Sequence, residues 1–280
     1  MLPARDTTIH AIIYQRSLNA VFQPIIDLAR GVFYGYEGLI RGPENSIFES
    51  PDQLFAMATQ RNRYEELNFL AATIVVERFI ALRLPGKLFL NMSPAALGSS
   101  NDVASERLLR NIGMNARRVV IELTEQRQAV DPVLLKHNIA FYRRLGFQIA
   151  LDDLGQGYSS LGLWMDIQPE FVKADKQFVT GANLSQRQRY FLEGIQGLAR
   201  ASGAQVIAEG IETPEEFKLM KTLSIGFGQG YYISKPSKFP TATASESIRQ
   251  HYIRSDDMEQ FAASERKAAL KVVGVDGLVR

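Results

Sequence analysis

Eight polar residues that could hold metal ions or a phosphorylated substrate recur along the chain, each near the end of a short apolar run. They comprise five carboxylates, two amides and one lysine: Glu37, Asn91, Glu122, Asp152, Asp153, Lys173, Glu209 and Gln229. Carboxylates that gather in one place raise one another's pKa values, and divalent cations relieve that repulsion. Oxygen ligands without histidine or cysteine favour Mg²⁺ or Mn²⁺ over Zn²⁺. The adjacent Asp152 and Asp153 would let one carboxylate bridge two ions, which suits hydrolysis of a phosphodiester.

Each of these residues alone also has a structural explanation. An acidic residue after a strand, such as Glu122 or Glu209, is often a helix cap. Asn91 could be a turn residue, and Lys173 could be a solvated lysine. None of these explanations accounts for an acid or amide at nearly every strand end, so the joint pattern favours a functional site.

The elements that must position these residues are short strands separated by helical patterns. Strand-like runs are expected at residues 21–28, 32–40, 87–91, 118–123, 147–151, 171–173, 205–208 and 226–232. Eight strands, several of them apolar at consecutive positions, predict an α/β fold of the TIM (β/α)8 type with an irregular or antiparallel first strand. In such a barrel the carboxyl ends of the parallel strands meet at one mouth. An open doubly wound sheet is the alternative.

Helix signals stand between the predicted strands. Asp131 before Pro132 is typical of a helix N-cap, and Gly146 of a C-terminal cap. Residues 213–216 read as a capping box with proline at the first helical position. Farther along, residues 245–270 are charged and helix-patterned. We therefore divide the chain into a barrel at 1–240 and a helical connector or extension at 241–280, which could lead to a further domain.

Composition narrows the function classes. The 280 residues carry a net charge of only +2, which argues against a nucleic-acid polymer as partner. There is no cysteine, which excludes thiolate metal sites. None of the three histidines stands at a predicted strand end, which argues against a histidine-rich metal site. No apolar run approaches the ~20 residues of a membrane span. A cytoplasmic protein is expected.

Eight segments resemble the motifs of the EAL-domain family of cyclic di-GMP phosphodiesterases. They read FQPIIDL, YEGLIR, LFLNMS, IELTE, LDDLGQGYSSL, FVKAD, IAEGIE and GQGYYISKP, in the family's order and spacing over residues 18–236. The resemblance implies hydrolysis of one phosphodiester bond of cyclic di-GMP to linear pGpG with two Mg²⁺ or Mn²⁺ ions. It also implies a homodimer, formed through the loop 153–159 and the helix around 185–201. The apolar face of that helix is marked by Phe191, Ile195 and Leu198.

The resemblance assigns roles by position. The implied metal ligands are Glu37, Asn91, Glu122, Asp152, Asp153 and Glu209, with Gln229 and Glu209 holding water at the metals. The implied catalytic residues are Glu37, Lys173 and Glu209. The implied substrate contacts are Gln23, Leu39, Arg41, Asp175, Gln229 and Pro236, and Glu125 is implied to steady the loop 153–159.

Two departures from the family pattern stand out. Gly38 replaces the family's alanine, and Leu154 replaces a phenylalanine. Neither removes a charged group, so an active enzyme is favoured. The alternatives are a receptor that binds cyclic di-GMP without cutting it, a scaffold that binds no nucleotide, and another metal-dependent barrel enzyme such as an enolase-type proton abstractor.

Overall fold

The computed structural model describes residues 8–94, 97, 113–123, 131–154 and 160–252. Eight strands form a closed barrel in chain order. They are β1 (Asn19–Asp27), β2 (Val32–Arg41), β3 (Lys87–Met92), β4 (Val119–Leu123), β5 (Gln148–Leu154), β6 (Phe171–Ala174), β7 (Gln205–Ala208) and β8 (Phe227–Gly228). Strand β1 is antiparallel to both β2 and β8, and all other neighbours are parallel. The predicted TIM-type barrel with an antiparallel first strand is confirmed.

The helices surround the barrel in the described part of the chain. They are α1 (Ile9–Tyr14), α2 (Pro51–Gln60), α3 (Tyr64–Ala81), α4 (Pro132–Leu145), α5 (Ser160–Ile167), α6 (Lys176–Val179), α7 (Gln186–Ser202), α8 (Pro214–Thr222) and α9 (Glu246–Gln250), with a 3₁₀ helix at Gly113–Arg118. The predicted caps of α4 are present: the Asp131 side chain accepts a hydrogen bond from the Val133 amide, and Gly146 ends the helix with φ +103°. Both hydrogen bonds of the capping box at α8 are formed. No described helix is long and apolar enough to cross a bilayer.

A layer of apolar side chains fills the barrel interior and supports the polar residues above it. The layer consists of Ile25, Phe89, Val120, Ala150, Phe171, Ile207 and Phe227, with Tyr34 packed against it. Side chains on one face of a strand recur every second residue. Two positions farther toward the mouth, the same strands or the residues that follow them therefore present Gln23, Asn91, Glu122, Asp152, Lys173, Glu209 and Gln229. The apolar layer closes the barrel from below and leaves the polar layer facing the mouth.

Two sequence predictions were wrong in detail. Strand β8 ends at Gly228 rather than at residue 232, because the chain turns where Gly230 packs directly on the backbone of Ile211. Gln229 therefore follows β8 instead of lying within it. On α7, Ile195 is buried as predicted, but Phe191 and Leu198 are 41% and 50% exposed.

The chain beyond the predicted boundary at residue 240 still contacts the barrel. Ile248 on α9 is fully buried, and the Tyr252 hydroxyl donates a hydrogen bond to the Leu28 carbonyl. The rest of the predicted helical extension, 253–280, lies outside the described residues. The division into a barrel and a connector stays a prediction.

Candidate active site

Lys173 lies at the centre of the barrel mouth and contacts four carboxylates. Its Nζ atom is 2.9 Å from Glu209, 3.0 Å from Glu122, 3.0 Å from Asp152 and 3.5 Å from Glu37. The lysine side chain is 1% exposed. Strands β2, β4, β5 and β6 and the end of β7 thus bring residues that are up to 172 positions apart in sequence into one cluster. The predicted convergence of these side chains is present.

The two predicted amides orient Glu37. Asn91 Nδ2 donates to one Glu37 oxygen at 3.2 Å, and Gln229 Nε2 donates to the other at 2.7 Å. Gln229 also donates to Gln23 Oε1 at 2.9 Å, and Gln23 in turn donates to the Ser234 carbonyl at 3.1 Å. This chain of hydrogen bonds connects β1, β2, β3 and the segment after β8 across the mouth.

Several carboxyl groups of the cluster resist ionisation. Burial raises the pKa of Glu122 well above its ordinary value, and Lys173 only partly offsets this effect. Burial likewise raises the pKa of Glu209 to about 8, with Lys173 opposing the shift and Asp152 adding to it. The pKa of Asp153 rises to about 6 through burial and the neighbouring Asp152. One ammonium group therefore does not balance the charge of five carboxylates.

Two members of the cluster keep their charge. Burial opposes ionisation of Glu37, but the Lys173 ammonium and the hydrogen bonds from Gln229 and Asn91 outweigh it, and the pKa of Glu37 is lowered. Burial also opposes the charged form of Lys173, but the surrounding carboxylates outweigh it and raise the pKa of the lysine well above its ordinary value. The site holds a permanent cation and a larger potential negative charge.

The arrangement of the oxygen atoms fits divalent cations. One oxygen from each of Asp152, Asp153 and Glu209 lies within 4.8 Å of the others, a spacing that allows them to ligate one ion. Glu122 Oε2 is buried and accepts no hydrogen bond from the described residues, which leaves a carboxylate oxygen available to a ligand. Hard oxygen donors of this kind suit Mg²⁺ or Mn²⁺. The donor set suits a divalent cation, and the choice of Mg²⁺ or Mn²⁺ and the number of ions stay predictions.

A backbone irregularity places Asp152 and Asp153 on the same side of the barrel. Successive residues of a regular strand point to opposite faces. The pairing of β5 with β6 shifts register between Leu151 and Leu154, and Asp153 has a left-handed backbone with φ +53°. A bulge of this kind re-aims a side chain. It turns the second carboxylate toward the mouth.

A cavity of about 300 Å³ opens beside Glu37, between β2, β3, α2 and α3. Leu39 and Arg41, two of the predicted substrate contacts, line it. Its outer wall includes Phe55 and Tyr64, whose ring centroids are 5.3 Å apart. A cationic side chain and aromatic rings beside a cation site offer contacts to a phosphate and a flat base.

The sequence interpretation missed the residues that build this cavity from the helix side. Asn68 lies on α3, is 6% exposed, and accepts a hydrogen bond from the Ser93 amide at 3.1 Å. Ser93 also donates through its hydroxyl to Glu65 Oε2 at 2.7 Å. These bonds fasten the chain just after Asn91. The available signal was the position of Asn68 within the most apolar stretch of the sequence, residues 67–76.

Two other predicted substrate contacts are not among the four carboxylates around Lys173. Asp175 is 5% exposed and caps α6, where its side chain accepts from the Gln177 amide. Pro236 is half-buried and precedes Ser237, which pairs with Phe22 of β1. Their roles as substrate contacts stay predictions. Glu125 and the loop 155–159 lie outside the described residues, so the loop-steadying role stays a prediction as well.

The fold and the site together define a TIM-type barrel with a carboxylate-rich mouth. Sequence comparison identifies the family within this class. The EAL domain model matches residues 8–236. The chain is 30% identical over 228 residues to the probable cyclic di-GMP phosphodiesterase PdeB of Escherichia coli K12, covering 80% of this chain and 43% of PdeB. It is 30% identical over 236 residues to the cyclic di-GMP phosphodiesterase PA2567 of Pseudomonas aeruginosa PAO1, covering 81% and 39%. The chain belongs to the EAL domain family and spans about two fifths of these relatives.

Solved structures show the same fold. A standalone EAL protein from Vibrio cholerae O395 in its c-di-GMP-bound form superposes with a TM-score of 0.73 at 25% identity, covering 83% of this chain and 97% of that one. BlrP1 of Klebsiella pneumoniae, in complex with manganese and cyclic di-GMP, gives a TM-score of 0.69 at 25% identity and covers 79% and 56%. The likeness extends over most of the barrel.

Proposed function

We propose that this chain hydrolyses one phosphodiester bond of cyclic di-GMP to give linear pGpG, using two Mg²⁺ or Mn²⁺ ions. The observation that carries the proposal is the cluster of four carboxylates in contact with Lys173, which is more negative charge than one ammonium can balance. Relatives with the same domain are named cyclic di-GMP phosphodiesterases. A receptor that had lost catalysis would be free to lose these ligands, and here all the predicted ones are kept.

Glu37, Asn91, Glu122 and Asp152 would hold the first ion, and Asp152, Asp153 and Glu209 the second. When bound, the two cations supply Lewis-acid activation of a water molecule and neutralise charge on the reacting phosphate. The bulge at Asp153 and the hydrogen bonds that the Asn91 and Gln229 side chains donate to Glu37 hold these ligands in place before any ion binds.

The chain's own residues then have distinct tasks. Glu209 is the most exposed of the four carboxylates at Lys173, with 18% of its side chain accessible, so it reaches water in the mouth and can accept its proton. The ammonium of Lys173 stabilises negative charge that develops on the phosphate oxygens. Arg41, at the wall of the neighbouring cavity, pairs with a substrate phosphate. Gln23, Leu39, Asp175, Gln229 and Pro236 are proposed to contact the nucleotide.

Turnover of cyclic di-GMP with product analysis tests this proposal. Purified protein with Mn²⁺ or Mg²⁺ should convert cyclic di-GMP to pGpG, and chelation with EDTA should stop the reaction. Glu37→Ala should abolish turnover, whereas Glu246→Ala, which removes an exposed carboxylate on α9, should retain it. Binding of cyclic di-GMP without hydrolysis in the presence of either metal would instead identify a receptor. Retained activity in Glu37→Ala would contradict the ligand assignment.

We also infer self-association through α5 and α7. The two helices are neighbours, since Trp164 Nε1 on α5 donates to Ser202 Oγ on α7 at 3.1 Å. Both present exposed apolar side chains, including Met165, Phe191 and Leu198. Light scattering after size exclusion should give a dimer mass for the wild type and a monomer mass for Phe191→Glu. A monomeric wild type at micromolar concentration would contradict this inference.

A further inference from the structure

Glu216 on α8 is a buried carboxylate outside the lysine cluster. It accepts more hydrogen bonds from backbone amides than a helix cap requires. It is 3% exposed, and both of its oxygens accept hydrogen bonds from main-chain amides. One oxygen accepts from Glu212 at 2.8 Å and from Thr213 at 3.1 Å, and the other accepts from Gly181 at 2.6 Å. The bond from Thr213 completes the capping box. The other two lie beyond the cap.

The bond to Gly181 ties two loops of the mouth together. Gly181 follows α6, which begins three residues after Lys173, whereas Glu212 belongs to the loop that follows Glu209. The same loops meet at two further hydrogen bonds. Thr180 Oγ1 donates to the Gly210 carbonyl at 3.1 Å, and the Glu209 amide donates to the Ala174 carbonyl at 3.0 Å.

The loop after β7 also holds the segment after β8. The Ile211 amide donates to the Gln229 carbonyl at 3.0 Å, and the Tyr232 amide donates to the Ile211 carbonyl at 3.0 Å. Gln229 in turn donates to Glu37. Glu216 therefore fastens, through Glu212 and Gly181, the loops that follow β6, β7 and β8.

The position of the Glu209 side chain depends on these hydrogen bonds between the loops, because Glu209 lies just past the end of its strand. Strand β7 ends at Ala208, and the last bond of its ladder with β6 is the one that the Glu209 amide donates to the Ala174 carbonyl. The position of the Glu209 carboxylate against Lys173 is set by its own amide and by the bonds on the loop that follows. Groups that orient metal ligands commonly change metal affinity by about 10- to 100-fold when they are removed. Glu216 acts through the loop that carries Glu209, and we expect an effect at the lower end of that range.

We propose that Glu216 is a positioning residue: a buried carboxylate that locks the loops after β6, β7 and β8 and so holds Glu209 and Gln229 in place for cation binding. The expected effect of Glu216 on catalysis rests on the proposed function. Its expected effect on the loops does not.

The test compares Glu216→Ala and Glu216→Gln with Thr213→Ala. Thr213→Ala removes the hydrogen bond that the Glu216 amide donates to Thr213 Oγ1 but leaves the bonds that the Glu216 carboxylate accepts from Gly181 and Glu212. It is therefore a matched control for a weakened helix N-terminus. Mn²⁺ affinity is measured by isothermal titration calorimetry, and kcat and KM are measured with cyclic di-GMP. Hydrogen exchange is followed in peptides that cover residues 209–213 and 229–232.

Glu216→Ala should weaken Mn²⁺ binding at least tenfold, lower kcat with little change in KM, and speed exchange in both peptides. Glu216→Gln keeps one acceptor oxygen and should lie between the wild type and the alanine variant. Thr213→Ala should keep the wild-type Mn²⁺ affinity and the wild-type exchange in 229–232. Equal Mn²⁺ affinity and equal exchange in Glu216→Ala and Thr213→Ala would reduce Glu216 to a helix cap and overturn the proposal.

A further variant keeps the test decisive if Glu216→Ala does not fold. Thr180→Val removes only the hydroxyl that bonds Gly210, on an exposed side chain. It should weaken Mn²⁺ binding in the same direction but less. Unchanged affinity in both Thr180→Val and Glu216→Gln would contradict the loop lock. If the wild type neither binds Mn²⁺ nor cuts cyclic di-GMP, the proposed function fails, and the exchange rates still decide whether Glu216 locks the loops.

Discussion

Raising the pH should destabilise the metal-free protein, because the acidic mouth holds protons that the unfolded chain would have lost. The pKa of Glu209 is raised from 4.5 to about 8 in the folded protein, mainly by burial. A carboxyl group with a raised folded pKa stabilises the folded state fully below its unfolded pKa. This contribution falls as the pH rises from 4.5 and is lost above about 8.

The size of the effect follows from the shift in pKa. Each unit corresponds to about 1.4 kcal/mol, so Glu209 alone accounts for roughly 3–5 kcal/mol of unfolding free energy across this window. Glu122 has a raised pKa and changes stability in the same direction. The raised pKa of Lys173 stabilises the fold throughout this range, since its loss of charge lies at higher pH. Bound divalent cations should reverse the slope, because they compete with protons for the same oxygens.

Urea unfolding in EDTA at pH 5.5 and pH 8.5 measures this effect. The wild type should be less stable at the higher pH, and Glu209→Gln, which cannot titrate at this position, should lose distinctly less. With saturating Mn²⁺ the wild type should instead gain stability as the pH rises. Equal slopes for wild type and Glu209→Gln in EDTA would show that Glu209 is not the group that holds the proton.

Three further predictions concern single side chains. An alanine Cβ at Gly38 would lie 2.2 Å from Val75 Cγ1, so Gly38→Ala should lower the free energy of unfolding by about 1–3 kcal/mol. In a double-mutant cycle, adding Val75→Ala should recover part of this loss. Arg41→Ala should lower kcat/KM at least tenfold while Mn²⁺ affinity by calorimetry stays unchanged, and Arg41→Lys should recover part of the loss. Lys173→Met should abolish turnover and lower the melting temperature in EDTA, because four carboxylates lose the ammonium group they contact. Added Mn²⁺ should restore much of the melting temperature.

Most of the barrel could be predicted because buried parallel strands are apolar at consecutive positions. The runs of β4 and β7 are short, continuous and bounded by helix signals, and the structure places them as expected. The end of β8 could not be predicted, since it depends on a tertiary contact between Gly230 and Ile211. The face of α7 was misjudged because Phe191 and Leu198 lie on the helical stripe of Ile195, yet the helix is rotated so that they reach solvent.

The composition of the site could be predicted more fully than its geometry. Polar residues at strand ends are visible in the sequence, and a barrel brings such ends together. The central position of Lys173 against four carboxylates was not visible, because it depends on the stagger of the strands. The orientation of the Asp153 side chain toward the mouth depends on a β-bulge that could not be predicted from the sequence. The hydrogen bond between Glu216 and Gly181 joins two loops and is equally hidden in the sequence.

Anomalous diffraction at the manganese edge, from crystals grown with Mn²⁺, tests the central claim most directly. Two peaks should appear at the mouth, one against Glu37, Asn91, Glu122 and Asp152 and the other against Asp152, Asp153 and Glu209. Absence of any peak, with the Lys173 ammonium still in contact with its carboxylates, would mean that the protein neutralises its own acids and binds no catalytic metal there.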